Sequence, residues 1–118
     1  MLIGEIARIT GLSKDGIRHY EEMGLIASCP RPAGGRTYRV YDPRVIDTIE
    51  KVRQAQRLGF SLKEIVPILK AYAESPPSHE QTIQFLEDRL TVIRGRIAEL
   101  REVENFIRDK LKRYRTKP

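Results

Sequence analysis

Cysteine is nearly absent from this 118-residue chain, tryptophan is absent altogether, and no long apolar run occurs. The single cysteine, Cys29, can form neither a disulfide within the chain nor a thiolate-rich metal site. No stretch approaches the roughly 18 consecutive apolar residues of a membrane span, and the N-terminus lacks the apolar segment of a secretory signal. We therefore predict a cytoplasmic protein that does not enter a membrane.

Side-chain sets that signal catalysis are missing as well. The sequence offers no paired carboxylates, no nucleophile with a neighbouring base and no phosphate-binding loop, because Gly34-Gly35 alone does not make one. We therefore predict that the protein is not an enzyme and that it has no catalytic residue, no cofactor and no metal. Positive charge is what the chain does have. Its net charge of +6 favours a polyanionic partner without identifying one.

Two short helical patterns open the chain. Gly11 ends the first helix, and Ser13 is a suitable N-cap for the second. Two short helices joined by a turn of about three residues are typical of a helix-turn-helix. Apolar residues at helical spacing give each helix an inner side: Ile3, Ile6, Ala7 and Ile9 in the first, and Ile17, Tyr20 and Leu25 in the second.

A segment that cannot be helical follows. Cys29–Arg36 contains two prolines and the pair Gly34-Gly35, which break a helix. Thr37–Tyr41 alternates β-branched and aromatic residues, which favours a short strand. A glycine turn edged by arginine with a strand behind it predicts a wing, in which the arginines place positive charge at the tip.

Two further helices are predicted between residues 42 and 73. Asp42-Pro43 is a helix start signal, and Leu58-Gly59 ends that helix. Ser61–Glu64 forms a capping box for the next helix, which Pro67 should kink by removing one backbone hydrogen bond. The expected inner residues are Val45, Ile46, Ile49 and Val52 in the first of these helices, and Leu62, Ile65, Ile68, Leu69 and Tyr72 in the second.

A long helix should occupy the rest of the chain. Ser78 and Gln81 form a second capping box, and helical character extends to about Arg113, a span of about 50 Å. Such a helix needs a partner along most of its length. A second copy of the chain is the simplest partner, because the short helices of its own domain offer too little surface to cover it. Its apolar positions alternate three and four apart, except at Glu104, and form a heptad seam for dimerisation: Ile83, Leu86, Leu90, Ile93, Ile97, Leu100, Ile107 and Leu111. We predict a DNA-binding domain at 1–73, a linker at 74–79, and a dimerisation helix with a basic tail at 80–118.

Taken together and in this order, the motifs resemble the MerR family of bacterial transcriptional regulators. The match covers about the first 70 residues, and the long helix is similar to the family's antiparallel dimerisation helix. His19 in place of an aromatic, Gly16 inside the second helix, and Pro67 depart from the family pattern. The matching segments are Ile3–Ala7, Thr10–Ser13, Ile17–Glu21, Gly24-Leu25, Tyr38–Tyr41 and Leu58–Ile65.

The resemblance implies a mainly α fold: a winged helix-turn-helix domain with a short β wing, followed by a long C-terminal helix that forms an antiparallel coiled-coil dimer. It implies a dimeric regulator of a near-palindromic promoter, which distorts double-stranded DNA and so acts on RNA polymerase. Arg18 is expected to contact either a base or a phosphate, Tyr20 is either a phosphate ligand or a core aromatic, and one wing arginine is either a DNA ligand or a solvated charge. The expected DNA-binding residues are Ser13, Lys14, Arg18, His19, Tyr20, Arg36, Tyr38, Arg39, Ser61 and Lys63.

The signal to which such a regulator responds does not follow from the sequence. His79 stands where metal-sensing relatives have a cysteine, but a lone histidine is not a metal site. Cys29 is either a reactive thiol beside Arg31 or an incidental surface thiol.

The basic tail is either a solvated helix end or a second nucleic-acid contact. It consists of Arg108, Lys110, Lys112, Arg113, Arg115 and Lys117. An architectural, excisionase-like DNA-binding protein is the alternative function. Effector, target genes, and activation versus repression stay open.

Overall fold

The computed structural model describes residues 1–116, within which five helices and a two-stranded antiparallel sheet are present. Lys117, part of the predicted basic tail, lies outside the described residues. The chain divides into a first unit, Met1–Pro76, and a second unit that begins at Pro77. The elements are α1 (Ile3–Thr10), α2 (Lys14–Glu22), β1 (Ser28–Ala33), β2 (Arg36–Tyr41), α3 (Val45–Arg57), α4 (Leu62–Glu74) and α5 (His79–Thr116). The predicted fold class, mainly helical with a short β wing and a long C-terminal helix, is confirmed.

The turn between α1 and α2 forms as its residue types predict. Gly11 adopts the left-handed conformation, with φ 76°, and its N–H donates to the Ala7 carbonyl at 2.9 Å. Only glycine adopts this φ without steric cost, so the helix ends here. Two residues later the Ser13 hydroxyl oxygen accepts the Gly16 N–H at 3.0 Å and caps α2.

The wing is a complete hairpin, of which sequence reasoning predicted only the second strand. β1 pairs with β2 in a register that runs from Ser28 opposite Tyr41 to Ala33 opposite Arg36. Gly34 and Gly35 both have positive φ, as a tight two-residue hairpin turn requires. The strand β1 was missed because it contains two prolines. These lie two residues apart on an edge strand, where every second N–H points away from the partner strand and is dispensable.

The start of α3 differs from the prediction. Regular helix begins at Val45, and Asp42 instead holds the preceding turn by accepting the Arg44 N–H at 2.8 Å. The α4 capping box is confirmed, since the Ser61 hydroxyl accepts from the Glu64 N–H at 3.2 Å and the Glu64 carboxylate accepts from the Ser61 N–H at 3.0 Å.

Pro67 does not end α4, which runs through it from Leu62 to Glu74. Proline has no N–H to donate to the carbonyl four residues before it, which here belongs to Lys63. Both Pro67 and Lys63 are exposed, so water can hydrogen-bond to this carbonyl. An exposed location is where the lost helical bond costs least.

One hydrophobic core organises the first unit. Four predicted inner positions lie outside this core: Ile9 is 52 % exposed, and Ile46, Ile68 and Tyr72 are half-buried. In α4 Ile65 is fully buried, and Leu62 and Leu69 are half-buried against the core. The buried set is Ile6, Ile17, Tyr20, Ile26, Tyr41, Val45, Ile49, Val52 and Ile65.

The second unit is the single helix α5, which has 38 residues. Its predicted capping box is present: the Ser78 N–H donates to the Gln81 carboxamide oxygen at 2.9 Å, and the Gln81 N–H donates to the Ser78 hydroxyl oxygen at 3.1 Å. At about 1.5 Å per residue, the helix is about 57 Å long. Within residues 1–116, no helix has the length and apolarity needed to cross a membrane.

Candidate DNA-binding surface

Three of the ten side chains predicted to bind DNA, Lys14, Arg18 and His19, are exposed on α2. Lys14 and Arg18 are both exposed and, being four residues apart, lie next to each other along one face of the helix. The Arg18 guanidinium donates to the Asp15 carboxylate at 3.0 Å, with 58 % of the arginine side chain exposed. A surface pair of this kind is weak, so a phosphate or a base can replace Asp15 as the partner of Arg18.

Tyr20 lies on the inner side of α2, as its spacing from Ile17 predicted, and not on the exposed face of the helix. Its side chain is only 5 % exposed and belongs to the core. The reason is helical geometry, since Tyr20 follows the buried Ile17 by three residues and therefore lies on the same side. Its hydroxyl donates to the Gln56 carboxamide oxygen at 3.3 Å. A phosphate contact by this hydroxyl stays a prediction.

The wing divides its side chains between two faces. Alternation along β2 places Arg36 and Tyr38 on one face and Arg39 and Tyr41 on the other. Arg36 directly follows the glycine turn and is exposed, and Tyr38 is 44 % exposed. Arg36 and Tyr38 are thus presented together at the outer half of the wing, where a DNA strand can reach both.

Arg39 has internal partners that the sequence did not predict. Its guanidinium donates to the Glu21 carboxylate at 3.3 Å and to the Ser28 hydroxyl oxygen at 3.0 Å. Glu21 also accepts the Ser28 hydroxyl at 2.7 Å and the Tyr41 hydroxyl at 2.7 Å. One carboxylate of α2 therefore binds three side chains of the wing, a set that we call the Glu21 network (Glu21, Ser28, Arg39 and Tyr41).

The protonation equilibria of this network follow from its contacts. Burial favours the neutral form of Glu21, but the hydrogen bonds from Tyr41 and Ser28 and the charge of Arg39 outweigh it, so the pKa of Glu21 is lowered. Burial and the neighbouring Glu21 carboxylate raise the pKa of Tyr41. At neutral pH the acid is ionised and the phenol protonated, as the 2.7 Å hydrogen bond between them requires.

A concave groove of about 1020 Å³ lies among α1, α2 and β2. Arg8 is exposed on α1 and lines the groove, although it was not among the predicted DNA-binding residues. No spacing rule within α1 would have identified it, because its position depends on how α1 packs beside α2. The charged lining residues are Arg8, Lys14, Arg18 and Arg39, with the carboxylates Glu5, Glu21 and Glu22.

Ser61 and Lys63 are exposed at the start of α4 but do not line the groove. The Ser61 hydroxyl oxygen caps the helix, and the Glu64 carboxylate occupies the same N-terminus. That carboxylate disfavours a second anion there, so Ser61 and Lys63 stay weaker predictions than the residues of α2 and the wing.

The predicted seam residues lie along α5 with large exposed fractions. Ile83 and Leu90 are 43 % and 47 % exposed, Leu100 is 68 % exposed, and Ile93 is half-buried. Three aromatic or β-branched residues outside the seam are also exposed toward the C-terminal end of α5, namely Val103, Phe106 and Tyr114. The rest of the seam, Leu86, Ile97, Ile107 and Leu111, is exposed.

Cys29 lies in β1, where it pairs with Val40, and it is exposed and free. His79 is exposed at the first residue of α5. In the part of the chain that the structure describes, no three His, Cys, Asp or Glu side chains are grouped as a metal site would require.

Two family descriptions match the chain. One, the MerR helix-turn-helix family of regulatory proteins, covers residues 1–72, and the other, the MerR DNA-binding region, covers residues 46–110. The chain belongs to the MerR family. It is therefore a DNA-binding transcriptional regulator, and the α2 and wing described above form its winged helix-turn-helix.

Known MerR proteins extend the likeness over nearly the whole chain. The mercuric resistance operon regulatory protein of Bacillus cereus is 33 % identical over 111 residues, which cover 91 % of this chain and 80 % of that protein. A MerR-family transcriptional regulator from the same species has the same fold, with a TM-score of 0.73 at 18 % identity, over 99 % of this chain and 84 % of that one. HiNmlR, a regulator that lacks the sensor domain and was solved bound to promoter DNA, has a TM-score of 0.54 at 21 % identity, over 97 % of this chain and 89 % of that one.

Proposed function

We propose that this MerR-family protein binds a near-palindromic promoter site in the cytoplasm as a homodimer and distorts the DNA between the two half-sites. The observation that carries the proposal is the groove among α1, α2 and β2, which four cationic side chains line. An α-helix fits the major groove of B-DNA, and a wing beside it reaches the adjacent backbone. The protein groove between α2 and the wing accommodates the phosphate backbone that separates the DNA major groove from the region that the wing contacts.

Three of the four groove cations, Lys14, Arg18 and Arg8, contact DNA in this arrangement, and Arg36 of the wing joins them. Lys14 and Arg18 of α2 face the major groove, where Arg18 binds either a guanine edge or a phosphate. His19 is exposed next to Arg18 on the same helix. Arg36 and Tyr38 bind the backbone or the minor groove from the wing. Arg8 adds a phosphate contact at the α1 side of the groove.

The seam of α5 supports the second half of the proposal, a homodimer. Burying a half-exposed Leu or Ile contributes about 1 kcal/mol, so the eight seam residues of each copy contribute several kcal/mol. Charge favours an antiparallel pairing. Residues 79–88 carry three carboxylates and no Lys or Arg, whereas residues 107–116 carry five Lys or Arg and one Asp. Antiparallel helices bring these segments together, and parallel helices would repel at both ends.

A dimer of this kind holds two DNA-binding heads at a set separation. If the promoter places its half-sites at a different distance, the DNA must bend or untwist to engage both heads, at a cost that depends on its sequence. Such a distortion would reposition the contacts that RNA polymerase needs. An effector, if one exists, is not identified.

DNA binding is tested by footprinting the protein on the DNA upstream of its own gene and by titrations at several salt concentrations. Arg18→Ala and Arg36→Ala should each weaken binding about tenfold or more and lower the slope of log K against log salt by about 0.9 per lost phosphate contact. Lys70→Ala removes one positive charge from an exposed position of α4 outside the groove and is the matched control, expected to change binding less than about twofold. No protected site at low salt, or equal losses in all three variants, would overturn the proposal.

The dimer is tested by sedimentation. Leu90→Glu puts a carboxylate in the middle of the seam and should convert the protein to a monomer, whereas Thr91→Glu, on an exposed residue beside the seam, should leave it dimeric. A wild-type protein that stays monomeric at all concentrations would refute the interpretation of the seam.

A further inference from the structure

The Glu21 carboxylate is an unusual feature of a surface proposed to bind DNA. It adds negative charge to a groove that should receive phosphate, and its side chain is only 23 % exposed. Desolvation and repulsion of DNA both oppose a carboxylate at this place. Its three partners, Ser28, Arg39 and Tyr41, all belong to the wing, 7 to 20 residues further along the chain.

The wing has few other connections that fix its direction. It is a two-stranded ribbon, and such a ribbon has little independent stability. Its base is held by the buried ring of Tyr41 and by two hydrogen bonds with Met1: the Tyr41 N–H donates to the Met1 carbonyl at 2.7 Å, and the Met1 ammonium donates to the Tyr41 carbonyl at 2.7 Å. The Glu21 network is the polar contact of the wing with α2. It therefore joins the ribbon directly to the helix that carries Arg18.

We propose that Glu21 is a positioning residue that locks the wing to α2 and thereby sets the distance between Arg18 on the helix and Arg36 and Tyr38 on the wing. In this role Arg39 forms hydrogen bonds within the protein, because its guanidinium donates to both Glu21 and Ser28. The inference rests on the proposed DNA-binding function and deepens it. A wing that is already in position lowers the entropic cost of binding DNA. Loss of the Glu21 carboxylate should therefore weaken DNA binding, although it removes a negative charge.

Glu21→Ala is the decisive variant, with Glu22→Ala as its matched control. Both remove one carboxylate from the end of α2, but within residues 1–116 the one ion pair of Glu22 is with His19, at 3.9 Å. Glu21→Ala should weaken DNA binding about tenfold, whereas Glu22→Ala should leave it unchanged or strengthen it up to about threefold, since one repulsive charge is gone. Tyr41→Phe removes a single hydrogen bond of the network without a change of charge and should give a smaller loss in the same direction.

Two readouts separate positioning from loss of folding. In an Arg36→Ala background, Glu21→Ala should lower the DNA affinity less than about twofold, because the position of the wing matters little once its phosphate-binding arginine is gone. Amide hydrogen exchange of residues 36–41 in the free protein should be faster in Glu21→Ala than in Glu22→Ala, while the thermal midpoint stays well above the assay temperature.

The outcomes are distinct. Equal DNA affinities of Glu21→Ala and Glu22→Ala, or strictly additive losses with Arg36→Ala, would overturn the positioning role while leaving DNA binding intact. Absence of binding by the wild type would refute the proposed function. In that case the hydrogen-exchange comparison, which needs no DNA, still decides whether Glu21 holds the wing.

Discussion

Tyr20 offers the sharpest test of how α2 binds DNA, because its hydroxyl has either of two roles, a contact with a DNA phosphate or a hydrogen bond within the protein. If its hydroxyl binds a phosphate, Tyr20→Phe should weaken DNA binding. The structure instead directs this hydroxyl to Gln56 at 3.3 Å, and burial raises the pKa of the phenol against the opposing influence of Arg53. The hydroxyl is therefore a protonated donor that already has an acceptor.

The cost of the substitution can be worked from these contacts. A hydrogen bond of 3.3 Å is long, and Gln56 is exposed, so its carbonyl binds water once the hydroxyl is gone. Tyr20→Phe should therefore lower the free energy of unfolding by less than about 1 kcal/mol. Tyr20→Ala removes a ring that is 5 % exposed and should cost about 3–5 kcal/mol, because a cavity remains in the core.

Urea denaturation measures both stabilities, and a DNA titration of Tyr20→Phe measures affinity. Tyr38→Phe is the matched control, since Tyr38 is 44 % exposed on the wing and is proposed to contact DNA. We expect Tyr38→Phe to weaken binding and Tyr20→Phe to leave it unchanged. A loss of more than about fivefold in Tyr20→Phe at unchanged stability would refute the internal role and assign the hydroxyl to a phosphate.

Three further predictions test the capping and charge of the first unit. Asp15→Asn releases Arg18 from its 3.0 Å ion pair and removes a repulsive charge, so DNA binding should strengthen about two- to threefold; weaker binding would contradict the proposed role of Arg18. Ser61→Ala breaks the α4 capping box and should lower the free energy of unfolding by about 1 kcal/mol in urea denaturation; no change would show that the cap is dispensable. Because the pKa of Glu21 is lowered in the folded state, its stabilising effect is complete above its ordinary value of 4.5 and is lost as the pH falls through the folded-state pKa. The acid-induced loss of stability below pH 4.5 should therefore be shallower in Glu21→Gln than in Glu22→Gln, and identical curves would argue against the network.

Predictions from the sequence were most accurate where the determining interaction is local. Gly11 ends α1, and the hydroxyls of Ser13, Ser61 and Ser78 cap the helices that follow them. Each of these features involves groups within four residues of each other, so residue type and spacing are sufficient to predict them.

Predictions failed where the answer depends on a neighbouring element. β1 was missed because prolines are unfavourable in most strands, and only its pairing with β2 on an open edge makes them acceptable. Ile9 has the spacing of a buried residue, yet nothing in the first unit covers it. Arg8 acquires a place in the groove only through the packing of α1 beside α2 and β2.

By itself, the sequence determined the order and type of the helices, the wing turn, the seam of α5, and the motifs by which the chain resembles the MerR family. Only the tertiary structure decided that the Tyr20 hydroxyl donates to Gln56 and that Glu21 binds the wing. Glu21 meets its partners across up to 20 residues of chain. Local spacing carries no information about such contacts, because they exist only after the core has brought α2 and β2 together.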